Sequence, residues 1–395
     1  MNNETAWAPY KPLSGPHSGN HEIDIVRAYS GELMPEEQVR TFSHTDLAFA
    51  TREIHRGGEV KPLQYHDQSL SNYPISTSNG VFDLFDYVSR NRVVGLLIKR
   101  AGKVVLEQYE LGISPHSRWM SMSMAKSVST VLVGTAIKDG YISSVDEQLV
   151  HYLPGLSGSA YDGVTIRHLM QMTSGAKWDD THTDPASERR RMLALQIEQK
   201  PGAIMEYMAS LKRAATPGSV WNYSTGETHI VGALVHAATG KWLSDYLSER
   251  IWSRLGMEAN ANWWLESQDG LEVAGSGIST TLRDYTRFAS FILDQGVIDG
   301  HRILPTGWVR EMGASRIING QRLDYGYMWW PVPGPDGSLE DGAFSARGIF
   351  GQYIYINPKQ QLTISVLSSR SKPKHAEAIL DNDFFNATVT ALRQT

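Results

Sequence analysis

Two stretches of the chain are apolar without interruption and rich in β-branched residues, Val93-Val94-Gly95-Leu96-Leu97-Ile98 and Val104-Val105-Leu106, with Ala101-Gly102 between them. That pattern predicts a β-hairpin. A second hairpin is predicted near the end, from residues 351–358 and 362–368 around Lys359-Gln360. Between the two hairpins the periodicity changes to that of helices. A long apolar helix is expected from about Ser123 to Lys138-Asp139-Gly140, where glycine is the natural stop. Residues 145–265 read as mostly helical, with an apolar run from His229 that Gly240 closes and Leu247, Ile251, Trp252 and Leu255 at core spacing. A further helix is expected over about 282–295, and a last one near 375–393. Strands at both ends with helices between them imply an α+β protein: one mixed sheet flanked by helices, and a helical lobe in its middle. Residues 1–84, rich in Pro, Gly, Ser, Asn and His, read as a segment wrapping the main body. Residues 85–395 then form one domain, its sheet lobe at about 85–112 and 270–395 and its helical lobe at about 113–269.

Composition narrows the function classes. The chain has 395 residues, 41% of them hydrophobic and 20% charged, as expected of a globular protein with a large core. A formal net charge of −5 gives no support for a nucleic-acid partner. The one compact basic run, Arg189-Arg190-Arg191, reads as a solvated helix face. Cysteine is absent, which removes disulfides, thiol nucleophiles and cysteine-ligated zinc. The opening residues, Met1 to Trp7, lack the charged start and apolar core of a signal peptide, and no apolar run approaches a membrane span. A cytoplasmic protein is the expectation.

The chemistry centres on Ser123 and Lys126, a Ser-x-x-Lys at the start of the long apolar helix. Three residues on a helix are nearly one turn, so hydroxyl and amine share a face. A serine hydroxyl needs a base to become a nucleophile at neutral pH, and a lysine supplies one when desolvation or a neighbouring cation lowers its pKa. The helix N-terminus favours a developing oxyanion. About a hundred residues later, Gly218 to Glu227 forms a loop carrying Tyr223 into another helix. A third element, Ala346-Arg347-Gly348-Ile349-Phe350-Gly351-Gln352, has glycines that let backbone approach a ligand. The acidic loop Asp179 to Asp184, with His182 in it, reads as the rim of a cleft more than as a metal site. No Gly-x-Ser-x-Gly elbow and no phosphate-cradling glycine loop is present. Trp329 and Trp330 read as core, with one ring able to line an acyl pocket.

In this order and spacing the three elements resemble those of the penicillin-recognising serine hydrolases: class C β-lactamases, related esterases and D-aminopeptidases. Ser121 to Ser127, Asp184-Pro185-Ala186-Ser187-Glu188 and Gly348 to Gln352 resemble the 6-aminohexanoate-dimer hydrolases in particular. The resemblance implies a β-lactamase/transpeptidase-like fold and an acyl-enzyme on Ser123, with Lys126 and Tyr223 sharing the proton traffic. It also implies an oxyanion hole from the backbone NH groups of Ser123 and Ile349. Thr225 stands where the family often has Asn, and Ala346-Arg347-Gly348 where β-lactamases have Lys-Thr-Gly. Trp178 stands near the position of a substrate-contacting tyrosine. Trp178, Thr225, Arg347 and Gly348 are therefore the substrate-binding candidates. The expected partner is a small ester or amide, with no cofactor, metal, nucleic acid or membrane, acting as a monomer or homodimer. The alternatives are a β-lactamase or D-amino-acid peptidase, and a ligand-binding or sensor protein on the same fold.

Overall fold

A computed structural model describes residues 23–393 of the chain; expectations for the residues before these lie outside the described part. Val93–Arg100 pairs antiparallel with Lys103–Tyr109 across the predicted turn, where Ala101 and Gly102 both take positive φ. Leu362–Ser368 pairs with Val93–Arg100 on the other side, setting Ile364 opposite Ile98. Gln352–Asn357, Phe344–Gly348 and Trp330–Pro331 follow, and Gln64–Tyr65 adds a parallel edge, giving seven strands. Both faces of this sheet are covered, so Val93 to Ile98 is apolar without alternation, and Leu362–Ser368 is buried on both faces although Thr363 and Ser365 alternate with its apolar residues. Ile98 and Ile364 pack with Tyr87 and Phe384, whose rings stack at 3.8 Å, under helices Leu84–Arg90 and Asp381–Arg393. Val94 and Leu97 belong instead to the large core that holds Leu282 and Phe288 of helix Leu282–Leu293. The α+β expectation is borne out.

Two features depart from the sequence reading. The last helix starts at Asp381, not near 375. Asn91 accepts hydrogen bonds from the backbone of Ala378 and Ile379 and donates to the Ile379 carbonyl, which holds those residues in a loop. The second departure is a separate four-stranded sheet, ordered Thr51–Ile54, Ala261–Trp264, Ile278–Thr281, Arg118–Met120. It matters for function because Arg118–Met120 runs straight into Ser121. Ser121 donates its backbone N–H to the Ile278 carbonyl at 2.7 Å and accepts from Ile278 N at its hydroxyl at 3.1 Å, which anchors the entry to the Ser123 helix.

Helix Met124–Lys138 is buried along nearly its whole length and packs on Thr225–Thr239, itself buried from Thr225 to Val235. A helix so buried on all sides is central to the core, and it carries polar residues that need partners there. Its polar residues reach loop carbonyls: Ser127 to Met328, Thr130 to Tyr327 and Ser129 to Ala274. Those bonds satisfy buried hydroxyls and tie the loops around the helix start. No helix among the described residues is long and apolar enough to cross a membrane.

Candidate active site

Ser123 is the N-cap of the buried helix, in αR geometry, and its hydroxyl makes no capping bond. Freed from that task, the oxygen meets Lys126, whose Nζ donates to it at 3.0 Å and to the Gly275 carbonyl at 2.9 Å. The residue before the serine, Met122, is buried with a φ of +48°, the left-handed region that disfavours a side chain. Strain of this kind persists only where the surroundings enforce it. Here the enforcement comes from the Ser121 anchor on one side and the Phe344–Gly348 strand on the other. A Cβ on Gly348 would lie 2.7 Å from the Ser121 carbonyl oxygen and 2.9 Å from the Met122 Cβ, so only glycine allows this approach. Gly348→Ala is therefore expected to push the strand off the serine turn. Activity should fall by about 10²- to 10³-fold, the usual cost of losing an oxyanion donor, while the folded fraction measured by circular dichroism stays near wild type.

Lys126 is 2% exposed. Burial, with the charges of Arg189 and Lys374 adding to it and that of Asp180 opposing, lowers its pKa to about 7. About half of the amines are then neutral at neutral pH. Tyr223 comes from the loop ahead of helix Thr225–Thr239, which is laid against the 172–178 segment by Asn222 N donating to Met172 O and Asn222 Nδ2 to Trp178 O. Its ring centroid is 5.2 Å from Lys126 Nζ, and its hydroxyl is hydrogen-bonded to Ser123. Burial, with the Asp180 charge, pushes the phenol pKa well up, so Tyr223 keeps its proton at neutral pH. Trp221, Tyr325 and Trp330 pack around its ring.

The other candidates are placed unevenly. Thr225 and Ile349 line the same pocket as Met122, Ser123 and Gly275. Thr225 gives its backbone N–H to Asp180 at 2.9 Å, and its hydroxyl has no partner. Gln352, fully buried, donates from Nε2 to the carbonyls of Ile349 and Ser368, which fixes the turn at Ile349. Trp178 and Arg347 are not part of the pocket wall. The Trp178 indole lies under Gly226 and Met208, with its N–H given to Asp180 at 2.8 Å. Arg347 runs along its own strand to Ser345 and Asn382 and over the Trp330 ring. Trp329 is fully buried and Trp330 half-buried.

Arg189 and Tyr29 escaped the sequence reading, whereas Asp180 and His182 lie in the loop read as a cleft rim. Asp180 is buried facing Lys126; burial raises its pKa, but the cations Lys126 and Arg189 and the Trp178 indole N–H act against that, and the net shift is downward, so the carboxylate stays ionised. His182, Arg189 and Tyr29 complete the pocket wall. The acidic loop did carry a signal, since His182 and Asp180 both belong to it. The basic run did not: Arg191 is exposed as expected, whereas Arg189 is buried. Among the described residues no three His, Asp or Glu side chains converge as metal ligands.

Comparison with known proteins places this geometry. A sequence model described as Beta-lactamase matches residues 86–385. A 6-aminohexanoate-dimer hydrolase from Paenarthrobacter ureafaciens is 28% identical over 378 residues, covering 90% of this chain and 93% of its own. A beta-lactamase from Escherichia coli strain K12 is 23% identical over 306 residues, 64% of this chain and 76% of its own. Among solved structures, a putative 6-aminohexanoate-dimer hydrolase from Bacillus anthracis superposes with a TM-score of 0.82 at 22% identity, over 96% of this chain and 99% of that one, a likeness of fold. With three quarters of its length matched and its serine, lysine and tyrosine gathered at one helix start, this chain belongs to the beta-lactamase family of serine hydrolases.

Proposed function

We propose that the protein hydrolyses small esters or amides through an acyl-enzyme on Ser123. The observation that carries this reading is the buried Lys126 amine, 3.0 Å from the Ser123 hydroxyl with its pKa brought to about 7. A neutral lysine takes the serine proton as the hydroxyl attacks the substrate carbonyl. Tyr223, protonated, serves as a hydrogen-bond donor and proton conduit: it passes a proton to the leaving alkoxide or amine and recovers it from Lys126. The Ser123 and Ile349 backbone NH groups hold the oxyanion. Water then replaces the leaving group, the same bases activate it, and the acid product departs. This division of labour differs from one in which Tyr223 acts as a phenolate, because burial and the Asp180 charge both disfavour the phenolate.

Arg347 favours an ester or amide substrate over a β-lactam, since its guanidinium is spent on Ser345 and Asn382, away from the pocket. The name of the Paenarthrobacter relative makes linear amides the natural second substrates to try after simple esters.

The pH profile tests the proton route. With Lys126 as the base, kcat/KM for a neutral aryl ester should rise with pH along a one-proton limb centred near 7, because only the deprotonated amine is competent. A profile flat from pH 5 to 9, or one that falls across that range, would remove Lys126 from the role.

A further inference from the structure

Arg189 lies in the first turn of helix Glu188–Glu198, whose N-cap is Ser187. The residue is 3% exposed, and its guanidinium makes no hydrogen bond or ion pair with any described residue; its Nε is buried with no partner at all. A guanidinium stays charged at every physiological pH. Leaving a buried charge unpaired is costly, and proteins accept it chiefly where something else completes the pair.

What surrounds Arg189 is partly apolar. Its Cζ sits 4.6 Å from the centroid of the Tyr29 ring, a cation–π contact that recovers part of the lost hydration. Tyr29 in turn stacks on His182 at 5.8 Å with the rings nearly parallel. Helix Ile25–Ser30, which carries Tyr29, is held in place by Arg190, whose guanidinium donates to both Ser30 Oγ and the His182 carbonyl. Tyr29, His182 and Arg189 therefore form a built wall, and they line the same pocket as Ser123.

The charge balance around that pocket is positive. Asp180 is its acidic member, but one oxygen takes the Trp178 indole N–H and the Thr225 backbone N–H, and no ion pair joins the carboxylate to Arg189. Against it stand Arg189, the protonated fraction of Lys126, and Lys374, the last with its amine 6.0 Å from the Tyr223 ring centroid at the exposed edge. Burial pushes the His182 pKa down to about 3, so the imidazole is neutral at pH 7 and adds no further positive charge to the pocket.

We propose that Arg189 is a carboxylate-binding subsite: the substrate carries a carboxylate, gripped by the free guanidinium N–H groups against Tyr29 and His182, while its scissile carbonyl lies at Ser123. A planar fork meeting a planar carboxylate gives two parallel charge-assisted hydrogen bonds, and one guanidinium suffices for it. The inference rests on the hydrolase reading of Ser123, and narrows its substrates to anionic esters or amides.

Two matched pairs of esters test it, one with the charge on the acyl side and one with it on the leaving group. They are 4-nitrophenyl hydrogen glutarate against 4-nitrophenyl pentanoate, and 4-acetoxybenzoate against 4-acetoxybenzamide. In one pair the wild type should prefer the anionic member by about 10- to 100-fold in kcat/KM. Arg189→Gln should erase that ratio, and Arg189→Lys should keep part of it. Equal rates within both pairs, or a preference that survives Arg189→Gln, would overturn the subsite while leaving the hydrolase in place. A binding readout covers the case in which no ester turns over and the hydrolase reading itself fails. Glutarate should raise the thermal midpoint of the Ser123→Ala protein, and the rise should vanish when Arg189→Gln is added; a shift indifferent to Arg189, or none, overturns the proposal.

Discussion

Ser123→Ala is expected to lower kcat by about 10⁴-fold or more, the scale on which nucleophile loss disables serine hydrolases, and to leave the protein folded. The two halves of that expectation come from one geometric fact. The hydroxyl is buried at the helix start yet caps nothing, so its removal does not incur the penalty of a lost N-cap. Its bonds are to Lys126 and Tyr223, both of which keep other contacts: Lys126 the Gly275 carbonyl, and Tyr223 its ring of aromatic neighbours. A thermal midpoint within about 2 °C of wild type follows for a chain of this size. Neighbouring Ser121 cannot substitute, because its hydroxyl is bonded to Ile278 N and the Met122 carbonyl. Aryl-ester kinetics alongside a thermal melt read both quantities, and retained turnover in this variant would remove the nucleophile from the mechanism.

Lys126→Met should be nearly as damaging to turnover, by about 10³-fold or more, since it removes the general base and the proton's first acceptor. Its effect on stability has the opposite sign and depends on pH. In the folded protein the amine releases its proton near pH 7, against 10.5 for an ordinary lysine, because burial disfavours the ammonium. Between those values the unfolded chain binds the proton and the folded chain does not, so the wild type gains stability as pH rises through that window and loses it as pH falls. The slope is about 1.4 kcal/mol per pH unit and flattens below 7, a total of several kcal/mol. Methionine fills most of the same space without titrating. Urea midpoints for the variant should therefore climb relative to wild type as pH is lowered from about 10 to 7, and a pH-independent difference would contradict a desolvated lysine.

The parts of this site that were legible in the sequence are those governed by local geometry. Ser123 and Lys126 share a helix face because they are three residues apart, and no tertiary contact changes that. The central strands announced themselves because both of their faces are buried. The four-stranded sheet stayed hidden for the converse reason: Arg118–Met120 and Ile278–Thr281 are short and far apart in sequence, and their partnership depends on register that only the fold supplies. Side chains near one another in sequence also diverge. Asp179 turns outward to bond Thr181, whereas Asp180 turns in toward Lys126. On the following helix Arg189 enters the pocket and Arg191, two residues on, meets Glu198 at the surface. Residues two apart on a helix face different ways, so a basic run that reads as solvated held one buried member. Trp178 sits close to the site, but its indole N–H goes to Asp180, support for the machinery and not contact with the substrate.

The most direct measurement is to quench the enzyme during turnover of a slowly deacylated aryl ester, weigh the intact protein, and map any adduct by tryptic digestion. The expected result is a mass increase equal to the acyl group, carried on the Trp119–Lys126 peptide, located at Ser123 by fragmentation and absent from Ser123→Ala. An adduct on another residue, or steady turnover by the Ser123→Ala protein, would contradict it.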